Sequence, residues 1–108
     1  MPSVHDRIKT LVEGNRIVIF MKGTPQMPMC GFSAATVEAL QSLGQPFEAV
    51  NVLTDPEIRE GVKQFTSWPT IPQVFVGGKF VGGCDIVREM QASGELARLV
   101  AQATTKSM

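Results

Sequence analysis

The sequence predicts an α/β domain with a mixed four-stranded sheet flanked by helices, and three observations carry that expectation. Ile17-Val18-Ile19-Phe20-Met21 is an apolar, β-branched run of the kind that sits buried on both faces of a sheet. It follows one amphipathic segment and precedes a helix-strand-helix succession. Near the end, Gln73–Val76 and Lys79–Val81 flank Gly77-Gly78, a two-residue hairpin turn that makes the second half of the sheet antiparallel.

The elements follow in order. Val4, Ile8, Leu11 and Val12 recur at helical spacing, with Ser3 as cap and Gly14 as stop, so the chain opens on a helix. The Ile17–Met21 strand, expected at the centre of the sheet, comes next. In Lys22-Gly23-Thr24-Pro25-Gln26-Met27-Pro28-Met29, prolines and glycine forbid a regular element. Cys30 then opens a helical segment running to Gly44, with Val37, Leu40 and Leu43 on one face. Phe47 to Val52 reads as a strand. Asp55-Pro56 supplies an N-cap and a first-turn proline for a helix carrying Ile58, Val62 and Phe65. After the hairpin, Ile86, Val87 and Met90 mark a short helix ended by Gly94, and Leu96, Leu99, Val100 and Ala103 a final one. A leading helix, then β-α-β, then β-β-α, is the order of a thioredoxin-like fold.

Composition narrows the function classes. A chain of 108 residues with 44% hydrophobic residues is expected to form one domain over residues 1–108. Ten basic and ten acidic residues cancel, which removes the whole-chain positive field that nucleic acid or anionic membranes attract. Ile17–Met21 is far short of the roughly 20 apolar residues that span a bilayer. The opening helix has the shape of a targeting peptide, but Asp6 and Glu13 interrupt the acid-poor composition of one. A start at Met1 without a presequence favours the cytoplasm. The two cysteines, more than fifty residues apart, are expected to be free thiols rather than a disulfide framework.

The chemistry centres on Cys30. A cysteine between a loop and a helix meets unpaired backbone N–H groups and the positive end of the helix dipole, which favour the thiolate. Lys22 leaves the strand just before that loop and can add to the effect. The contrary reading is a buried cysteine packing as a small hydrophobe. Against it, Gly31 keeps bulk away where a partner sulfur or metal would approach. In Cys30-Gly31-Phe32-Ser33, serine stands where a redox Cys-x-x-Cys pair has its second sulfur. A lone thiolate cannot resolve a mixed disulfide internally, so an external thiol such as glutathione becomes the second participant. The Ser33 hydroxyl either donates to the thiolate or caps the new helix.

Two further segments flank this cysteine. Trp68-Pro69-Thr70-Ile71-Pro72-Gln73 brackets Thr70-Ile71 between prolines ahead of a strand. Two trans prolines are the commoner arrangement; a cis Ile71–Pro72 bond would face the Ile71 N–H and C=O outward to hold a peptide-like ligand as an added strand. Gly82-Gly83-Cys84-Asp85 begins a helix whose N–H groups, with the Asp85 carboxylate, suit the charged ends of a small zwitterion. Asp85 can equally be a plain cap. Cys84 is either a tolerated small residue beside the ligand or a second thiol that pairs with Cys30 on oxidation.

Taken together, Lys22-Gly23-Thr24-Pro25, Cys30-Gly31-Phe32-Ser33, Trp68-Pro69-Thr70-Ile71-Pro72-Gln73 and Gly82-Gly83-Cys84-Asp85 resemble the monothiol, CGFS-type glutaredoxins in their single-domain form, in order and spacing. The resemblance implies that Cys30 is both the glutathione-reactive thiol and a cluster ligand. It implies that Ile71, beside a cis Pro72, pairs its backbone with the cysteine of glutathione. Lys22 and Arg59 would meet the glycyl carboxylate, and Cys84 and Asp85 would receive the glutamyl end. It further implies a 2Fe-2S cluster bridged in a homodimer by two such cysteines and two glutathione thiolates, serving iron-sulfur cluster storage and transfer. A BolA-like protein and recipient apoproteins would be partners. The loop from Thr24 to Met29 is longer than in dithiol glutaredoxins, which implies at most a weak glutathione-dependent thiol-disulfide oxidoreductase.

Overall fold

In the computed structural model, which describes residues 2–103, the strand β1 (Ile17–Met21) is buried along its whole length. The alternation of side chains across a strand explains how five apolar residues in a row are accommodated. Ile17, Ile19 and Met21 enter one apolar cluster, with Val37, Leu40, Val87 and Leu96; Val18 and Phe20 enter a second, with Ile8, Val12, Ile58 and Val62. The two clusters lie on opposite faces of the sheet, and each is roofed by its own helices.

The sheet order is β2-β1-β3-β4, with β2 spanning Glu48–Asn51, β3 Gln73–Val76 and β4 Lys79–Gly82. Strands β1 and β2 are parallel, while β3 runs antiparallel to both β1 and β4. The expected hairpin is present: Gly77 and Gly78 both have positive φ, 61° and 81°, as the tight primed turn requires. The thioredoxin-like order read from the sequence is the order found.

The helices are α1 (Val4–Gly14), α2 (Gly31–Gln41), α3 (Pro56–Thr66), α4 (Cys84–Ser93) and α5 (Glu95–Gln102). Ser3 caps α1 in a reciprocal box with Asp6, and Asp55 caps α3 by accepting the Ile58 N–H at 3.1 Å. Helices α1 and α3 lie together on the second cluster. Gly61 of α3 lets them close in, since a Cβ there would stand 3.0 Å from Val4 and 3.2 Å from Ile8. Arg7 of α1 pairs with Asp55 at 2.8 Å.

Several boundaries differ from the sequence expectation. The helix expected from Cys30 to Gly44 begins at Gly31 and ends at Gln41, because Cys30 is its N-cap and residues 42–44 close in turns. The strand expected over Phe47–Val52 is shorter at both ends. Its end is set by Asn51, whose side chain accepts the Leu53 N–H at 3.0 Å and starts a 3-10 turn, Val52–Thr54. Helix α4 begins two residues before Ile86, at Cys84, and Ala103 lies just beyond α5 as its C-cap.

Candidate functional site

The end of β1 delivers the chain to the loop before Cys30, and that loop folds back on itself. Met29 donates its N–H to the Lys22 carbonyl at 2.9 Å, Thr24 and Met27 exchange backbone bonds at 3.2 and 3.0 Å, and Gly23 bridges Pro28. Gly23 has φ of 92°, and a Cβ on it would stand 2.4 Å from the Met27 carbonyl oxygen, so only glycine fits this fold-back. Asn51 fixes the loop from outside, its Oδ1 accepting the Gly23 N–H at 3.0 Å. The result places Met29 and Cys30 beside the start of the loop rather than far from it.

Cys30 is the N-cap of α2, and its sulfur accepts the Ser33 N–H at 3.3 Å. The Ser33 hydroxyl lies 3.3 Å from the same sulfur and receives the Lys22 N–H at 3.1 Å. With one lone pair so engaged, the hydroxyl proton is free to turn toward a thiolate. The cap is Cys30 itself, and the Ser33 hydroxyl stands within hydrogen-bond distance of its sulfur, placed to donate once that sulfur is a thiolate. Burial pushes the Cys30 thiol up, but the Ser33 hydroxyl, the Ser33 and Phe32 N–H groups and, last, the Lys22 charge outweigh it and hold it below its ordinary value. Cys30 is a partly buried residue and does not belong to the core.

Next to this cysteine is a cavity of about 410 Å³. Cys30 is not among its lining residues; Lys22 and Phe32 connect the two. Lys22, Arg59 and Lys63 bring three cations to the wall, Trp68 to Pro72 form one side, and Gly83 to Ile86 the other. All five residues other than Cys30 singled out from the sequence for ligand binding, Lys22, Arg59, Ile71, Cys84 and Asp85, line this one cavity. The Ile71–Pro72 bond is cis. Among the described residues no hydrogen bond engages the Ile71 N–H or C=O.

The Gly83–Ile86 side is the N-terminus of α4. Gly83 is the N-cap and supplies no side-chain cap, and Asp85 makes none, so the reading of Asp85 as a plain cap is not realised. The first N–H groups of α4 stay available to an anion. Cys84, 8% exposed, is a free thiol in that first turn, as Cys30 is in its own place. On the cationic side, Arg59 Nε is buried without a hydrogen-bond partner among the described residues, and so is Trp68 Nε1. Orphaned donors of this kind belong to sites completed by a ligand or water.

Sequence reasoning missed Lys63 as a cavity residue. For Lys63 a signal exists: it lies four residues after Arg59 on α3, and i, i+4 residues share a helix face. Phe32 is 66% exposed, and Met27 and Met29 are exposed with it around the cysteine. Among the described residues no three His, Cys, Asp or Glu side chains gather as a metal group, and no helix is long and apolar enough to cross a membrane.

Known proteins carry the same architecture. The glutaredoxin family profile matches residues 17–81. A monothiol glutaredoxin of Synechocystis, itself uncharacterized, is 52% identical over 99 residues, covering 92% of each chain. Among solved structures, reduced apo GrxS14 of poplar is 46% identical with a TM-score of 0.78, covering 89% of this chain and 88% of that one. A buckwheat glutaredoxin solved in complex with glutathione is 27% identical with a TM-score of 0.81, covering 92% and 88%. The profile match over most of the chain, together with these identities and coverages, shows that the chain belongs to the glutaredoxin family, on its monothiol branch.

Proposed function

We propose that this protein binds glutathione and, as a pair of protomers, carries a 2Fe-2S cluster for storage and transfer. The observation that carries the proposal is a single acidified thiol, Cys30, standing beside a ligand-sized cavity with cations on one wall and a helix N-terminus on the other. Glutathione has a carboxylate at its glycyl end and a zwitterion at its glutamyl end. Lys22, Arg59 and Lys63 suit the first; the α4 N-terminus with Cys84 and Asp85 suits the second. The open backbone pair of Ile71 suits the cysteinyl unit between them. Bound this way, glutathione presents its own sulfur near Cys30.

A 2Fe-2S cluster takes four sulfur ligands. One chain offers a single acidified thiol that is only partly buried, since Cys84 is buried, so the donor set is completed by a bound glutathione and the same pair from a second protomer. Cluster chemistry then consists of holding and releasing iron and sulfide; this chain's part is to keep Cys30 deprotonated and to orient the second thiolate. The exposed apolar side chains of Met27, Met29 and Phe32 give the second protomer a surface to approach. A BolA-like partner would use the same surface. We read residues 1–108 as one glutaredoxin domain, working in the reducing cytoplasm where its free thiols persist.

A second reading is favoured by the acidified thiol alone. The Cys30 thiolate would attack the glutathione sulfur of a mixed disulfide, releasing the protein thiolate, and a second glutathione would then release oxidised glutathione and restore Cys30. Anaerobic reconstitution with iron, sulfide and glutathione separates the readings. The carrier reading expects a coloured species from the wild type and none from Cys30→Ser; a colourless wild type, or a coloured Cys30→Ser, removes it.

A further inference from the structure

Gln73 is a fully buried amide at the start of β3 that neither the thiol chemistry nor the ligand contacts employ. Its Nε2 donates to the Trp68 carbonyl at 3.0 Å and to the Thr70 carbonyl at 3.1 Å, which uses both of its protons. Its Oε1 lies 2.9 Å from the Thr66 hydroxyl. That hydroxyl in turn receives the Trp68 N–H at 3.1 Å. The amide orientation is thus fixed: turned over, it would set an oxygen against two carbonyls.

These bonds take two carbonyls out of those that the cavity wall can offer. Between Trp68 and Pro72 the two prolines have no N–H, and the carbonyls of Trp68 and Thr70 are drawn inward by Gln73. The Ile71 N–H and C=O are left unpaired on a residue that lines the cavity. We infer that Gln73 is a positioning residue for ligand recognition: by drawing the Trp68 and Thr70 carbonyls inward it holds the segment ahead of β3 so that the Ile71 backbone pair meets a peptide-like ligand. The inference rests on the glutathione reading for the identity of that ligand, but not for the geometry.

Two variants test it. Gln73→Glu replaces the double donor by an acceptor facing two carbonyls, and Gln73→Met keeps length and flexibility while removing every hydrogen bond without burying a charge. Glutathione binding is measured calorimetrically on full-length protein. The pH profile of Cys30 alkylation and the backbone amide resonances of residues 66–73 are recorded on the same samples. Both variants are expected to bind glutathione about tenfold more weakly or worse, the scale of one lost hydrogen-bonded pair. The Cys30 profile should stay in place, because the groups that act on that sulfur, Ser33, Phe32 and Lys22, all lie outside this loop. The loop resonances should move. A folded Gln73→Met that binds glutathione as the wild type does overturns the inference, and so do unmoved loop resonances. If Gln73→Glu fails to fold, Gln73→Met carries the test. If the wild type itself does not bind glutathione, the glutathione reading falls, and the resonances alone then decide the positioning role.

Discussion

At Cys30 the acidity of the thiol is assembled from short-range donors more than from charge. The Ser33 hydroxyl leads the groups that lower it, and the Lys22 charge comes last. Ser33→Ala is therefore expected to raise the thiol pKa more than Lys22→Ala does, and an ultraviolet titration of thiolate absorbance reads both. Equal shifts, or a larger one from Lys22→Ala, would mean that charge governs the site. The sign for stability follows. A thiol more acidic in the folded than in the unfolded chain contributes stability above the ordinary thiol pKa, and that contribution is lost as pH falls through the folded value. Cys30 itself was legible in the sequence because a loop-to-helix junction is a local pattern. The bond from the Lys22 N–H to Ser33 was not, since it joins residues eleven apart through the fold-back of the loop. Lys63 was legible in principle, from its spacing to Arg59, and was passed over.

Among the elements, helices α1 to α5 and all four strands were readable from periodicity, caps and the Gly77-Gly78 turn. What local pattern could not supply was the exact ends. The Asn51 side chain, by bonding two backbone N–H groups at once, stops β2 early and holds the loop at Gly23, and the bond to Gly23, which joins residues 28 apart, has no sequence signature. Two predictions belong here. Asp55→Ala removes the α3 cap and the Arg7 pair and should cost about 1 kcal/mol in urea unfolding at neutral pH. The Arg7 side chain, then the Ile58 N–H, hold the Asp55 carboxyl below its usual range, so this stabilisation is present above the ordinary carboxylate pKa and disappears as pH falls through the lowered one. The difference between wild type and variant should thus shrink in acid; a constant difference would contradict the assignment. Gly23→Ala, by contrast, should leave the sheet folded but displace the loop, because its Cβ has nowhere to go. Weaker glutathione binding with retained far-ultraviolet circular dichroism is the expected result, and wild-type binding would contradict it.

For the whole molecule, the division of β1 between two apolar clusters leaves one end of the sheet to function. There β1 leads into Lys22 and the loop, α2 begins with Cys30, α3 contributes Arg59 and Lys63, and α4 begins at Cys84. Several element ends meet at one place, so the cavity is a property of the topology; that Arg59, Ile71, Cys84 and Asp85 would share one ligand was legible through the resemblance to the monothiol glutaredoxins, not from the element order alone. The exposed apolar surface around Cys30 is a property of the same end. Phe32→Asp is expected to leave the folded protomer within about 0.5 kcal/mol of wild type, since the side chain is exposed, while weakening association of cluster-loaded protomers. Sedimentation of the reconstituted sample reads this, and unchanged association would place the contact elsewhere. The most direct test of the central claim is native mass spectrometry of the wild type after anaerobic reconstitution with glutathione. The expected species has the mass of two chains, two glutathiones and one 2Fe-2S cluster, and is absent for Cys30→Ser. A cluster held by one chain, or by two chains without glutathione, would contradict it.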